Sequence, residues 1–242
     1  MGLEENIRRV KERIARAAER AGRPPDTVTL VAVAKTVGAP LIQEAFQAGL
    51  RHFAENRVQE AEGKREQLSA LPLTWHMVGH LQTNKAKTAL SIFDIIHSVD
   101  SVRLAEALSR HTPSTLRQAQ GSALQPKGSA GSGHSQRALP IMLQVNLSGE
   151  VTKSGFAREE LGPALARIRS LPGLEVQGLM TIAPVVADPE EVRPLFRLLR
   201  QLRDSLGLRH LSMGMTDDFE VAVEEGATMV RIGQAIFGQR AA

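Results

Sequence analysis

The sequence predicts an α/β protein in which eight parallel strands alternate with helices and close into a barrel. Eight short runs carry the hydrophobic pattern of strands, and the first seven are each followed by a segment with helical periodicity. Such alternation requires a parallel sheet with crossover helices, and 242 residues are enough for one closed barrel. An open doubly wound sheet is the alternative, although no G-x-G-x-x-G motif follows the first strand.

The predicted elements follow one another in a regular order. An amphipathic helix at 3–21 comes first, because apolar residues recur at three-to-four spacing from Leu3 to Ala18. The strands are predicted at 28–34, 51–54, 74–79, 94–99, 140–146, 175–182, 209–213 and 228–232. The helices between them are predicted at 40–48, 57–68, 84–91, 101–111, 158–170, 189–206 and 217–225. The first helix is therefore an addition to the strand–helix units.

The segment 113–137 interrupts this alternation. It is rich in Ser, Gly, Gln and Ala and has no hydrophobic periodicity, so we interpret it as a flexible low-complexity insertion within a single domain of residues 1–242. It follows a helix and precedes a strand, which places it on the face of the barrel opposite the ligand face. A protein-interaction module that uses this insertion is an open alternative.

The composition argues against several classes of function. The absence of cysteine removes disulfides, thiolate metal sites and thiol catalysis, and we predict no metal site. A formal charge of +4, with basic residues scattered among acids and only 3% aromatic residues, argues against binding to nucleic acid. No apolar segment approaches the length of a membrane span and no signal sequence precedes the first helix, so we expect a cytoplasmic protein without membrane contact.

A lysine stands at the end of the first predicted strand. The strand at 28–34 is apolar enough to be buried on both faces, so Lys35 lies where it surfaces at its carboxyl end. Ligands bind at that end of the strands in α/β barrels. An amine that is partly desolvated by apolar walls favours its neutral form and can attack an aldehyde to make a Schiff base. A lysine that merely extends into solvent at a strand end is the alternative.

The loops after the seventh and eighth strands carry a second signal. They hold the residues Ser212, Gly214, Gly233 and Gln234. In barrels these loops frequently bind phosphate, because glycines let backbone N–H groups approach it. With Arg231 between this site and the lysine, a phosphorylated aldehyde such as pyridoxal phosphate is the natural ligand. A guanidinium only donates hydrogen bonds, so a pyridine nitrogen beside it would have to accept and remain unprotonated.

Other polar groups are weaker candidates. The spacing of Asp217 and Glu220 predicts a capping box at the start of the following helix, with Asp217 and Asp218 as an acid–base pair the alternative. His76 and His80 flank a strand end and so do not share a helical face as zinc ligands would. We expect His80 to border the site and His76 to be structural.

Sequence motifs that resemble one family are spread over residues 28–238. They are Val33–Thr36, Phe53–Glu60, Val78–Lys85, Thr152–Phe156, Gly178–Ala183, Ser212–Asp218 and Val230–Gly238. In these motifs the chain resembles the pyridoxal phosphate homeostasis protein family, and the resemblance covers nearly the whole sequence. It implies a single (β/α)8 TIM barrel of the alanine racemase N-terminal domain type, with an extra N-terminal helix.

The resemblance also implies roles for individual residues. Lys35 would form the Schiff base with pyridoxal 5'-phosphate, Asn56 would line the pocket, and Arg231 would contact the pyridine nitrogen. The residues implied to hold the phosphate are Ser212, Gly214, Gly233 and Gln234. Lys153 resembles a second lysine of the family near the site. The chain departs from the family in having Gln234 where a small hydroxyl residue is common, and in the length of its insertion.

The function implied by the resemblance is the intracellular homeostasis of pyridoxal phosphate (vitamin B6) and of amino and keto acids. The cofactor would be held without known turnover, so we expect a binding protein with no catalytic residues. Apo-enzymes that receive the cofactor are the implied partners, and the chain would be a monomer or weak dimer. The alternative is a pyridoxal phosphate-dependent amino-acid racemase or a related enzyme. Alanine-racemase-like racemisation uses a tyrosine from an additional β domain, and this sequence contains no tyrosine.

Overall fold

Eight parallel strands close on themselves in the order β1 to β8, with β8 paired to β1. The computed structural model describes residues 2–112, 138–147 and 154–238. The strands are β1 Thr29–Val33, β2 His52–Glu55, β3 Thr74–Met77, β4 Ile95–Val99, β5 Leu139–Gln144, β6 Leu174–Met180, β7 His210–Ser212 and β8 Met229–Ile232. The closed barrel predicted from the sequence is confirmed, and the open sheet is wrong.

Helices flank the barrel and connect its strands. They are α1 Leu3–Arg20, α2 Ala39–Gln47, α3 Val58–Gln67, α4 Ala86–Ile92, α5 Val102–His111, α6 Leu161–Arg169, α7 Arg193–Ser205, α8 Phe219–Glu224 and α9 Gln234–Phe237. Short 3-10 turns lie at Pro25–Thr27, Thr83–Lys85, Arg158–Glu160 and Pro189–Val192. The additional helix α1 packs on α8 and α9 through its apolar stripe, which confirms the predicted N-terminal helix.

Apolar side chains form two separate clusters, one between the strands and the helices and one inside the barrel. Alternation along β3 separates them, because Trp75 and Met77 join the outer cluster whereas the next apolar residue, Val78, joins the inner one. The inner cluster contains Val31, Ala54, Val78, Met142, Met180 and Met229. Polar side chains are also buried, among them His76, His97, Ser212 and Arg231. Polar groups buried at this depth need hydrogen-bond partners.

The start of helix α8 differs from the prediction. Helix α8 begins at Phe219, and its N-cap residue Asp218 makes no capping bond with its side chain. Asp218 instead accepts a hydrogen bond from the Met215 N–H at 2.6 Å, and Glu220 pairs with Arg13 at 3.1 Å. The predicted capping box is therefore wrong, because the helix starts later than its sequence pattern indicates.

The predicted insertion at 113–137, which connects α5 to β5, falls outside the described residues, as does Lys153. Both therefore stay predictions. Among the helices in the described ranges, none is both long and apolar enough to cross a membrane.

Candidate functional site

The carboxyl ends of the strands surround a cavity of about 320 Å³. Lys35 after β1, Asn56 after β2 and Arg231 of β8 line it, so the structure brings these predicted site residues together. His80, which was expected to border the site, also lies in its wall. Apolar side chains make up much of the remaining surface, and they are Val33, Val78, Val145, Ile182 and Met215. An apolar cavity with a few convergent polar groups is the usual form of a small-ligand site.

Lys35 is exposed at the rim of this cavity rather than partly covered by apolar walls. The difference from the prediction arises because Lys35 lies beyond the last residue of β1, where the sheet no longer shields it. The next residue, Thr36, has a φ of +65° and is the only non-glycine residue in the described ranges with a positive φ. A β-branched residue in this conformation is strained, and such strain is often found beside functional residues.

A buried ion pair supports the backbone just before Lys35. The Lys64 ammonium of α3 donates to the Ala34 carbonyl oxygen at 2.8 Å and lies 2.6 Å from Glu55 Oε1. Glu55 is fully buried, and its Oε2 atom has no hydrogen-bond partner in the described structure. Burial raises the pKa of Glu55, while the hydrogen bond from Lys64 opposes that shift. The pair fixes the end of β1 from behind the cavity.

Asn56 is held in the cavity wall by close packing of the loops after β2 and β3. A Cβ atom on Gly79 would lie 2.2 Å from the Asn56 carbonyl oxygen and 2.7 Å from its Cα atom. Any side chain at residue 79 would therefore displace the backbone at Asn56. The absence of a side chain at Gly79 lets the two loops meet at this point.

The glycine loops predicted to hold phosphate follow β7 and β8, and the residues that line the cavity do not include Ser212, Gly214, Gly233 or Gln234. Gly214 has a φ of +92°, and a Cβ atom there would lie 2.6 Å from Ala222 Cβ. A Cβ atom on Gly233 would lie 3.1 Å from the Val33 carbonyl oxygen, so this loop packs against the end of β1. Gln234 is exposed as the first residue of α9. The loop after β7 is joined to β8, because the Arg231 backbone N–H donates to the Gly214 carbonyl oxygen at 2.9 Å.

Arg231 and Ser212 are buried together at the inner end of the cavity. The Arg231 guanidinium donates to Ser212 Oγ at 2.7 Å and to the Thr181 carbonyl oxygen at 2.8 Å. Ser212 is fully buried, and its hydroxyl also contacts His97 Nδ1 at 2.7 Å. The Ser212 side chain therefore contacts Arg231 on β8 and His97 on β4. Its predicted role in binding phosphate stays a prediction.

The charge of Arg231 is set by its surroundings. Burial lowers the pKa of Arg231 to about 10, while the charge of nearby Asp218 opposes the shift. The guanidinium is therefore still protonated at neutral pH and can only donate. Its two hydrogen bonds to protein groups within the described residues leave further N–H groups for an acceptor in the cavity. A ring nitrogen that accepts a hydrogen bond fits this arrangement.

A line of histidines that the sequence pattern did not indicate continues from Ser212 into the barrel. His97 Nε2 lies 2.8 Å from His76 Nδ1, and His76 Nε2 lies 3.0 Å from His52 Nδ1. Burial lowers the pKa of His76 to about 3, and it lowers the pKa of His97 and of His52 as well. All three rings are neutral at neutral pH. The sequence signal that could have indicated these histidines is a polar residue within a strand predicted to be buried. His76 was predicted only to be structural.

Comparison with known proteins gives consistent matches over the whole length of the chain. Residues 5–241 match the family model described as alanine racemase, N-terminal domain. The pyridoxal phosphate homeostasis protein of Pseudomonas aeruginosa is 45% identical over 241 residues, covering 98% of this chain and 96% of that protein. The protein of the same name from Aquifex aeolicus is 43% identical and covers 98% of this chain and 97% of its own.

Solved structures extend the comparison to the fold. PipY of Synechococcus elongatus PCC7942, with PLP bound, is 38% identical, with a TM-score of 0.76 and coverage of 98% of this chain and 100% of that chain. An alanine racemase of Clostridium difficile 630 is 13% identical, with a TM-score of 0.61 and coverage of 96% of this chain and 57% of that chain. The second similarity concerns the fold alone. On the family model and the relatives together, the chain belongs to the family of pyridoxal phosphate homeostasis proteins, which share the barrel of the alanine racemase N-terminal domain.

Proposed function

We propose that this chain binds pyridoxal 5'-phosphate in the cavity, covalently through Lys35, and acts in pyridoxal phosphate homeostasis. The observation that carries the proposal is the placement of Lys35 and Arg231 on one cavity, at the ends of the paired strands β1 and β8. Bound there, the cofactor supplies an aldehyde that a lysine amine can convert to a Schiff base with loss of water. The relatives that carry the name of this function support the proposal.

The proposal assigns a role to each predicted site residue. Lys35 supplies the amine, Asn56 lines the cavity, and Arg231 donates to the pyridine nitrogen. The bare backbones of Gly214 and Gly233 approach the phosphate. The other residues assigned to the phosphate are Gln234, which is exposed, and Ser212, whose hydroxyl contacts Arg231 and His97 in the structure. Support for this arrangement comes from the hydrogen bond between the Arg231 backbone N–H and the Gly214 carbonyl oxygen, and from the close approach of Gly233 to the Val33 carbonyl oxygen.

The chemistry of Arg231 supports binding without turnover. A protonated guanidinium has no lone pair to accept a proton from the ring, so the pyridine nitrogen beside it stays unprotonated. An unprotonated ring withdraws electrons less strongly than one held by a carboxylate partner. The sequence also lacks the tyrosine that alanine-racemase-like chemistry uses. Close relatives are named as homeostasis proteins, in agreement with a role as a binding protein rather than an enzyme.

The cellular context belongs to the same proposal. The chain would act in the cytoplasm as a single domain of residues 1–242, pass its cofactor to apo-enzymes, and exist as a monomer or weak dimer. Sedimentation of the loaded protein tests the oligomeric state. Whether transfer needs contact is tested with a cofactor-free aminotransferase. Its gain of activity is measured when it is mixed with the loaded protein and when a dialysis membrane separates the two.

Reduction with borohydride tests the covalent attachment. The protein is saturated with pyridoxal phosphate, reduced, digested and mapped by mass spectrometry. We expect the pyridoxyl group on Lys35, and Lys85→Arg provides a control for a second lysine on the same face of the barrel. A label found mainly on Lys64, Lys85 or Lys153 would overturn the assignment of Lys35. Failure of the protein to bind the cofactor at all would overturn the proposed function.

A further inference from the structure

A continuous line of hydrogen bonds crosses the barrel from its amino-terminal end to the cavity. It starts at His52, the first residue of β2, and passes through His76 of β3 and His97 of β4. It then reaches Ser212 of β7 and Arg231 of β8. The strands β4 and β7 are not neighbours in the sheet, so the bond between His97 and Ser212 passes through the barrel interior.

The direction of this line is set at Ser212. Arg231 can only donate, so Ser212 Oγ accepts its hydrogen bond. If His97 also donated to Ser212, the buried Ser212 hydroxyl hydrogen would have no acceptor among the contacts of the described residues. Leaving a buried donor without a partner costs about 1–3 kcal/mol, so Ser212 instead donates to the bare Nδ1 atom of His97.

The hydrogen bonds between the imidazole rings have the same donor-to-acceptor direction. A neutral imidazole carries one hydrogen, so His97 with a bare Nδ1 atom holds its hydrogen on Nε2 and donates to His76 Nδ1. His76 likewise donates from Nε2 to His52 Nδ1. The rings stay neutral because burial lowers the pKa of each. Every nitrogen between Ser212 and His52 thus has one partner and one assigned role.

We propose that His97 is a positioning residue for Arg231, acting through the Ser212 hydroxyl, with His76 and His52 fixing the tautomer of His97. The inference rests on the proposed function only in that Arg231 faces the ring nitrogen of the ligand. By accepting from Ser212, His97 turns an oxygen lone pair of Ser212 toward Arg231 Nη1, while the Thr181 carbonyl oxygen accepts from Nη2. The guanidinium is then fixed before a ligand arrives.

The makeup of the barrel interior supports a role beyond filling space. Methionine and valine side chains occupy the inner cluster around this line, among them Met142, Met180 and Val78. Further apolar residues would fill the interior without the desolvation cost of three imidazoles. Burying a polar network is favourable only when all of its members are satisfied, and this one is satisfied in a single direction.

NMR of the ligand-free protein with ¹⁵N-labelled histidine tests the direction of the line. We expect His97 and His76 as neutral Nε2–H tautomers, and we expect Ser212→Ala to shift the Nδ1 resonance of His97 specifically. Ser98→Ala is a control, because Ser98 is buried on β4 next to His97 and its hydroxyl has no hydrogen-bond partner in the described structure. Finding the hydrogen of His97 on Nδ1 would overturn the proposal.

Binding to two ligands tests the positioning role. Kd is measured for pyridoxal phosphate and for its 1-deaza analogue, in which a C–H group replaces the ring nitrogen. His97→Leu removes the acceptor for Ser212, whereas His97→Asn can still offer an oxygen near the former Nδ1 atom. We expect His97→Leu to bind pyridoxal phosphate about tenfold more weakly, since a hydrogen bond to a charged group is weakened, and His97→Asn to recover part of that loss.

The deaza analogue distinguishes positioning from packing. Because it cannot accept a hydrogen bond from Arg231, we expect His97→Leu to bind it as the parent does. An equal loss for both ligands would overturn the proposal. If His97→Leu fails to fold, His97→Ala, with Ser98→Ala as its control, makes the same comparison. If the parent protein binds neither ligand, the proposed function fails, and the NMR experiment still decides the direction of the line.

Discussion

The two sides of the cavity are built in opposite ways. On one side, Lys35 is exposed and is followed by a strained residue, Thr36. On the other, Arg231 is buried and fixed by hydrogen bonds to Ser212 and Thr181. A group that forms and breaks a covalent bond needs room to move, whereas a group that only orients the ligand gains from being fixed beforehand. The contrast indicates that attachment and recognition are separate properties of this site.

The largest expected effect separates these two properties by mutation. Lys35→Ala should abolish the borohydride-stable adduct completely while retaining non-covalent binding, because the Arg231 side does not depend on the amine. Arg231→Leu should still form the adduct but bind pyridoxal phosphate at least about tenfold more weakly, since a charge-assisted hydrogen bond is lost. Mass spectrometry after reduction and equilibrium dialysis measure the two quantities. Loss of both properties in either variant would mean that the two sides act as one unit.

The second prediction concerns the ion pair beneath the exposed side. Lys64→Met should lower the free energy of unfolding by about 3–5 kcal/mol at neutral pH, because it leaves the Glu55 carboxylate buried without its partner. The double variant with Glu55→Leu should recover much of this loss, since no buried charge is left. Urea unfolding measures both, and Lys87→Met on α4 is the surface control. A Lys64→Met protein as stable as the control would show that the ion pair contributes nothing to the stability of the fold.

A third prediction tests the packing of the phosphate loop on the fixed side. Gly214→Ala should cost about 3 kcal/mol, because its positive φ and its 2.6 Å approach to Ala222 Cβ both disfavour a side chain. Gly207→Ala is the matched control, with a φ of +62° and nothing within 4 Å of a new Cβ atom. It should cost only about 1 kcal/mol. Equal losses in thermal unfolding would mean that the loop after β7 has room to adjust.

The smallest expected effect, counted per pH unit, is a dependence of stability on pH that originates in the histidine line. The folded state holds the pKa of His76 at about 3, below its ordinary value of 6.5, so acidification protonates the unfolded chain first. Stability is then present above about pH 6.5 and is lost as the pH falls toward 3, by about 1.4 kcal/mol per pH unit for this residue. His76→Leu should reduce the slope of unfolding free energy against pH by one proton. An unchanged slope would mean that His76 is protonated in the folded protein.

The sequence was sufficient to predict most of the fold, because short apolar runs typical of buried strands alternate along the chain with longer segments typical of helices. The closed barrel, its order and the position of Lys35 at a strand end follow from that pattern. The location of Asn56 and Arg231 on the cavity could be predicted because carboxyl ends of parallel strands meet at one face.

Contacts that depend on the three-dimensional register could not be predicted. Strands buried on both faces show no alternation, so nothing in the sequence indicated that His52 and His97 point toward a common line. Lys64 lies in a helix of otherwise ordinary charged residues, and its role depends on the buried Glu55 beside it. The capping box failed for a related reason, because Asp218 bonds to a preceding loop rather than to its helix.

The hydrogen bond between His97 and Ser212 also bears on how the chain folds. It joins residues separated by 115 positions in the sequence, one in each half of the barrel. Contacts of such separation form only after the entropy of closing a long loop has been overcome, which makes them slow steps. The Nδ1 resonance of His97 would therefore report the moment when the two halves close. In refolding experiments it should lag behind the fluorescence of Trp75, which is buried on β3 beside Phe53 of β2, both in the first half of the barrel.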